Sequence, residues 1–204
     1  MPSVANVVFD IGNVLIHWDP ELLYARLLPD AAVRRRFLAE VCSPDWNREM
    51  DRGQPFAEGI AEGVARHPEW ETEIRAWDEH WHEMVPGAID GTVAILERLR
   101  ACGVPTFAIT NFSSEKYAEC VVRFPFLAGF RDTVVSAHER LLKPDPAIYR
   151  VLLTRNRLDP ATCLFVDDVA ENVLGARGVG MNAVRFTSPE HFATDLVAHG
   201  VTID

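Results

Sequence analysis

What this chain lacks narrows it first. No lysine or arginine run stands out among its 204 residues, which carry a formal net charge of −10; that argues against a nucleic-acid or anionic-membrane partner. No apolar run approaches the roughly 18 residues a membrane helix needs. The chain does not open on a basic segment followed by an apolar one, so a cytoplasmic protein is expected. The four cysteines, Cys42, Cys102, Cys120 and Cys163, form no C-x-x-C pair, and reduced, mostly buried thiols are the expectation. Internal repeats and low-complexity stretches are missing too. The 48% hydrophobic and 25% charged residues describe an ordinary globular chain, with room for one sizeable core or a core with a modest insertion.

What is present begins at Asp10. Asn6-Val7-Val8-Phe9 reads as a buried strand that ends on this carboxylate, followed by a turn at Gly12 and a second apolar run. Cys163-Leu164-Phe165-Val166 ends the same way, on Asp167-Asp168. In parallel α/β folds the carboxyl ends of strands form the ligand-binding edge. Three carboxylates brought to one rim repel one another unless a cation sits among them, which suggests an oxygen-ligated ion such as Mg²⁺.

The rest of the chain fits that architecture. From Pro20 to about Pro86 the apolar residues recur at helical spacing, as in Leu22, Leu23, Ala25, Leu27 and Leu28, with no convincing strand. This stretch reads as a small all-helical insertion. It holds Trp46, Trp70, Trp77 and Trp81. From Gly91 onward helices and strands alternate: helices over 92–101, 114–123 (capped by Ser113 or Ser114), 147–155 and 172–178, and strands over 105–110, 132–136, 163–167 and 182–186. Such alternation predicts an α/β fold, a Rossmann-like parallel sheet with helices on both faces. The expected division is a core of residues 1–16 and 87–204 and a helical cap of residues 17–86.

Four features then fall at the ends of separate strands, in order: Asp10 with Gly12, Thr110-Asn111, Lys143 within Leu142-Lys143-Pro144-Asp145-Pro146, and Asp167-Asp168. Together they resemble the haloacid dehalogenase superfamily of hydrolases over nearly the whole chain. The resemblance implies a Mg²⁺-dependent phosphatase of a small phosphorylated metabolite. Asp10 would be the nucleophile that forms an aspartyl-phosphate. Mg²⁺ would be held by Asp10, the backbone carbonyl of Gly12, Asp168, and Asp167 directly or through water. Thr110 and the Asn111 backbone N–H would bind phosphoryl oxygens. Lys143 would balance the charge of the transition state, and Asn172 would orient Asp168 or Lys143.

One position departs from the pattern. Phosphatases of this superfamily usually carry a second aspartate two residues after the nucleophile, as general acid and base, and here that position is Gly12. Loss of such a group typically costs ~10²–10⁴ in rate. The segment Asp10-Ile11-Gly12-Asn13-Val14 is similar to a subset of bacterial sugar-phosphate phosphatases, which makes a sugar phosphate a candidate substrate. A cap side chain, a metal-bound water or the substrate itself would replace the missing shuttle, with His17 and Asp19 as candidates. Two alternatives stand beside the phosphatase: a 2-haloacid dehalogenase, and a non-catalytic phospholigand-binding protein that has lost turnover. The Asp167-Asp168 pair argues against the first, and the intact Asp10 against the second. The cluster of Trp77, Trp81, His80 and His82 offers aromatic faces to a sugar, while core packing at i, i+4 accounts for Trp77 and Trp81 equally well and is the favoured reading; His80 and His82 cannot share one helical face, which argues against a metal site there. A monomer and a homodimer are equally compatible with this sequence.

Overall fold

In β1 (Asn6–Phe9) the three residues after Asn6 are apolar and fully buried, so this strand belongs in the middle of a sheet rather than at its edge. The computed structural model describes residues 3–201. After β1 come five helices: α1 (Pro20–Leu27), α2 (Ala31–Glu40), α3 (Pro44–Asp51), α4 (Phe56–Arg66) and α5 (Glu71–Glu79). Short 3-10 turns at Pro68–Trp70 and Trp81–Met84 complete this stretch, and no strand occurs in it. The chain continues through α6 (Asp90–Ala101), β2 (Thr106–Thr110), α7 (Ser114–Arg123), β3 (Thr133–Val135), α8 (Ser136–Glu139), α9 (Pro146–Asn156), β4 (Cys163–Asp167), α10 (Ala170–Gly178), β5 (Asn182–Arg185) and α11 (Pro189–Ala198).

The sheet has five parallel strands in the order β3-β2-β1-β4-β5. The chain first builds outward from β1 to β3, then returns to pair β4 on the other side of β1. Strand order therefore reverses between β1 and β4, and a crevice opens beyond the carboxyl ends of these two strands. Asp10 follows β1 and Asp167-Asp168 closes β4, so these carboxylates gather at this end of the sheet.

Side chains alternate across the sheet. Val7, Phe9, Leu164 and Val166 face one layer, with Leu96 and Leu99 of α6 and Phe192 and Leu196 of α11. Val8, Phe107, Ile109 and Phe165 face the other, with Ile148 and Leu152 of α9 and Val173 of α10. The first layer runs on without interruption into the helical stretch, through Ile11, Leu15 and Ile16 to Tyr24, Met50 and Trp77. Local chemistry starts the helices as the sequence suggests. Asp19, Ser43, Ser113 and Asp145 each accept a backbone N–H at a helix N-terminus, and proline occupies the first turn of α1, α3 and α9.

Three expectations shift. Ser136, placed at the end of a strand, instead opens α8. The helix α11 was not anticipated, although Ser188 caps it and Pro189 occupies its first turn. Trp77 and Trp81 do not share a helix, because α5 stops at Glu79 and Trp81 begins a 3-10 turn. Trp77 packs among Trp18, Tyr24 and Trp46, whereas Trp81 lies against Phe112.

Candidate active site

Asp10 leaves β1 with its backbone N–H still donating to Val166 of β4 at 2.9 Å, which fixes its side chain at the crevice. Its Oδ1 accepts from the Ile11 N–H at 2.7 Å and from Lys143 Nζ at 2.7 Å. The chain then closes a tight loop, with the N–H groups of Leu15 and Ile16 returning to the Ile11 carbonyl. Asn13 adopts a left-handed φ of 55° in this loop and accepts from the Trp18 N–H through Oδ1 at 2.9 Å. Asparagine suits that position because its short polar side chain tolerates positive φ and bonds locally.

Lys143 is fully buried at its side chain and bridges two acids. Its ammonium lies 2.7 Å from Asp10 Oδ1 and 2.7 Å from Asp167 Oδ2. Asp167 is itself saturated: Oδ1 accepts from the Val169 N–H at 2.9 Å, and the Asn172 amide donates to both oxygens at 3.0 and 3.1 Å. Asn172 thus bonds to Asp167, the second carboxylate partner of Lys143. The Lys143 main chain is held by Asn111, whose Oδ1 accepts from its N–H at 2.8 Å and whose Nδ2 donates to its carbonyl at 3.1 Å. Behind this loop, Gly175 of α10 approaches so closely that a Cβ there would lie 2.6 Å from the Pro144 carbonyl oxygen. The Tyr149 hydroxyl donates to the Asn172 carbonyl at 2.8 Å and ties α9 to α10.

The electrostatics are unbalanced. Carboxylate oxygens of Asp10, Asp167 and Asp168 lie within 4.8 Å of one another, with one lysine among them. Burial pushes the Asp10 carboxyl up to about 8, against the pull of Lys143 and with help from Asp167 and Asp168. Burial, then Asp167, also raise Asp168. Burial alone would lower the Lys143 ammonium, yet its two carboxylate partners raise it above its ordinary value. Three hard oxygen donors with surplus negative charge fit a divalent cation such as Mg²⁺, and no soft ligand is among them.

These residues open onto a cavity of about 370 Å³. Asp10, Gly12, Asn111, Lys143, Asp168 and Asn172 line its floor. Pro44, Asn47, Arg48, Asp51, Phe56 and Trp81 line it from the helical stretch. Thr110 is buried at the end of β2 and does not reach the cavity surface, and Asp167 lies behind Lys143. His17 and Asp19 do not face this cavity. They border a separate hollow with Leu22 and Pro86, and Asp19 caps α1. The residues from α3 were missed in the sequence. One signal was available: Asp51 ends its helix, where the macrodipole disfavours a carboxylate.

Residues 4–180 match the model of the haloacid dehalogenase-like hydrolases. The chain belongs to that family. Among HAD-like hydrolases it is 29% identical over 191 residues to a phosphatase of Mycobacterium tuberculosis, covering 89% of this chain and 86% of the relative. It is 25% identical over 182 residues to a sesquiterpene phosphatase of Aspergillus oryzae, covering 88% of each. Among solved HAD structures, an enzyme of Bacteroides thetaiotaomicron in complex with magnesium and inorganic phosphate superposes with a TM-score of 0.72 at 19% identity, covering 91% of this chain and 95% of that one. The L-2-haloacid dehalogenase of Xanthobacter autotrophicus superposes with 0.64 at 19% identity, covering 98% and 84%. Carbon–halogen and phosphate-binding members share this HAD fold, so the fold alone does not choose between chemistries.

Proposed function

We propose that this HAD-like hydrolase is a Mg²⁺-dependent phosphatase of a small phosphorylated metabolite, a sugar phosphate among the candidates, with Asp10 as its nucleophile. The observation that carries this reading is Lys143 shared between Asp10 and Asp167 while Asp168 faces the same cavity. Lys143 offsets only part of the charge that Asp10, Asp167 and Asp168 bring together, and the surplus beside an anionic substrate favours phosphoryl chemistry with a bound cation over metal-free attack on carbon. The names of the two relatives, a phosphatase and a sesquiterpene phosphatase, support phosphoryl chemistry. A purely ligand-binding protein would have no need of a nucleophilic carboxylate held in place by a buried lysine.

The residues that would hold the ion are Asp10, the Gly12 carbonyl and Asp168, with Asp167 committed to Lys143. Bound there, Mg²⁺ would supply positive charge that offsets the repulsion of an anionic nucleophile and an anionic substrate. The chain's own groups do the rest. The Asp10 carboxylate attacks phosphorus, and Lys143 fixes its orientation and offsets charge that builds on the phosphoryl oxygens. Asn111 holds Lys143 and borders the phosphoryl site, while Thr110 supports it from behind. Residues 1–16 and 87–204 form the catalytic core in this reading, and residues 17–86 form the cap that selects the substrate.

The test is phosphate release from a panel of phosphomonoesters, with and without Mg²⁺, for wild type and Asp10→Asn. Mg²⁺-dependent release that vanishes in the variant is expected. Release that persists in Asp10→Asn would sink the nucleophile assignment, and no release from any ester would sink the phosphatase.

A further inference from the structure

Hydrolysis of a phosphomonoester needs more than a nucleophile. The leaving oxygen must gain a proton, and the water that attacks the phospho-enzyme must lose one. Gly12 offers no side chain for either task, and a Cβ placed there would meet nothing within 4 Å. The titratable side chains lining the cavity are Asp10, Arg48, Asp51, Lys143 and Asp168. Asp10 attacks, Lys143 is locked between two carboxylates, Asp168 faces the cation position, and arginine does not give up its proton. Asp51 is left over.

Resting on the phosphatase reading, we infer that Asp51, delivered from the helical stretch, is the general acid and base of this enzyme. Its position is fixed by the core. Its backbone carbonyl accepts from the Ser136 hydroxyl, which in turn accepts from the Phe112 N–H at 2.8 Å. Two residues on, Gly53 has a φ of 107°, and a Cβ there would lie 2.8 Å from the Ala137 carbonyl oxygen. The turn that carries Asp51 is therefore seated directly on α8, next to the end of β3. Asn47, one turn back in α3, donates to Asp51 Oδ2 at 3.0 Å.

The surroundings favour a carboxyl that holds a proton. It ends α3, where the macrodipole opposes an anion, among Phe56, Trp81 and Phe112. Burial pushes it up to about 7, and the Ser113 N–H, Arg48 and Lys143 only partly oppose this. Asp10 and Asp168 face it across the cavity, and Glu115 is engaged by the Phe56 N–H.

In the first step Asp10 forms a bond to phosphorus as the ester P–O bond breaks. The electron pair goes to the leaving oxygen, which takes the Asp51 proton. In the second, the Asp51 carboxylate takes a proton from water as its oxygen bonds to phosphorus. The Asp10–phosphorus bond breaks, its electron pair returns to the Asp10 carboxylate, and phosphate leaves.

The experiment compares wild type and Asp51→Asn, both with Mg²⁺, on p-nitrophenyl phosphate and on an alkyl phosphate such as glycerol 1-phosphate. Nitrophenolate leaves without a proton, so the variant should release a burst approaching one equivalent of nitrophenol. Steady turnover should then fall by at least ~100-fold, with no burst from the alkyl ester. Turnover within about threefold of wild type on both esters would overturn the inference while leaving the phosphatase standing. Loss of burst and turnover together would overturn it too, by giving Asp51 a structural role. A wild type inactive on every ester would overturn the phosphatase reading and this inference with it.

Discussion

Asn111 clasps the main chain of Lys143 at both polar atoms, accepting from its N–H at 2.8 Å and donating to its carbonyl at 3.1 Å. The side chain of one strand-end loop thereby sets the position of a lysine 32 residues away. Each such hydrogen bond contributes about 0.5–1.5 kcal/mol net, but displacement of the ammonium matters more. Asn111→Ala should lower stability by about 1–3 kcal/mol and kcat by about 10²-fold. Urea unfolding and steady-state kinetics measure the two. A stability loss with unchanged kcat would show that Lys143 keeps its place without the clasp.

Gly175→Ala gives a sharper sign test. An alanine inside a helix normally stabilises by about 0.5–1 kcal/mol over glycine. Here its Cβ would fall 2.6 Å from the Pro144 carbonyl oxygen. The contact should win, destabilising by about 1–3 kcal/mol and lowering turnover by shifting the Lys143 loop. A higher melting temperature would mean that α10 moves away freely.

Cation binding should be visible without catalysis. A ligand that binds only the folded state stabilises it by about 2.7 kcal/mol at 100 times its Kd. Mg²⁺ should therefore raise the melting temperature of the metal-stripped protein, and Asp168→Asn should remove most of that rise. A shift of the same size in the variant would place the ion elsewhere.

Asp51 also carries a pH signature. Its folded-state carboxyl is raised from 3.8 to about 7, so the stability tied to its neutral form is complete below about 4. That stability is lost as pH rises through about 7. In chelator, Asp51→Asn should therefore gain on wild type between pH 5 and pH 8 in denaturant unfolding. A constant difference would mean that the native carboxyl titrates as it does in the unfolded chain.

The parts of the site that the sequence displays are those tied to strand ends. Apolar runs that close on acids mark Asp10, Asp167 and Asp168, and two prolines around Asp145 mark the Lys143 loop. The order of these motifs yields the parallel sheet. Contacts that leave no periodic trace stayed hidden. The Asn111 clasp joins a side-chain amide to a distant backbone, and Asp51 reaches the cavity only because Ser136 and Ala137 seat its turn. His17 and Asp19 are near Asp10 in sequence but not in the cavity, because the loop through Asn13 folds back and turns them outward. The helix α11 is legible in Ser188-Pro189, which supply its cap and first turn.

The reversal of strand order has a consequence for how the protein comes into being. β1 leaves the ribosome before the other strands of the sheet, yet one of its two partners, β4, follows more than 150 residues later. Until then the buried apolar edge of β1 stands open, and Lys143 has Asp10 but not Asp167 as a counter-charge. Pairing so distant in sequence is slow to form and exposed to aggregation. A nascent chain halted before Cys163 should thus be a client for chaperones, and the activity should emerge only once β4 has been made and paired.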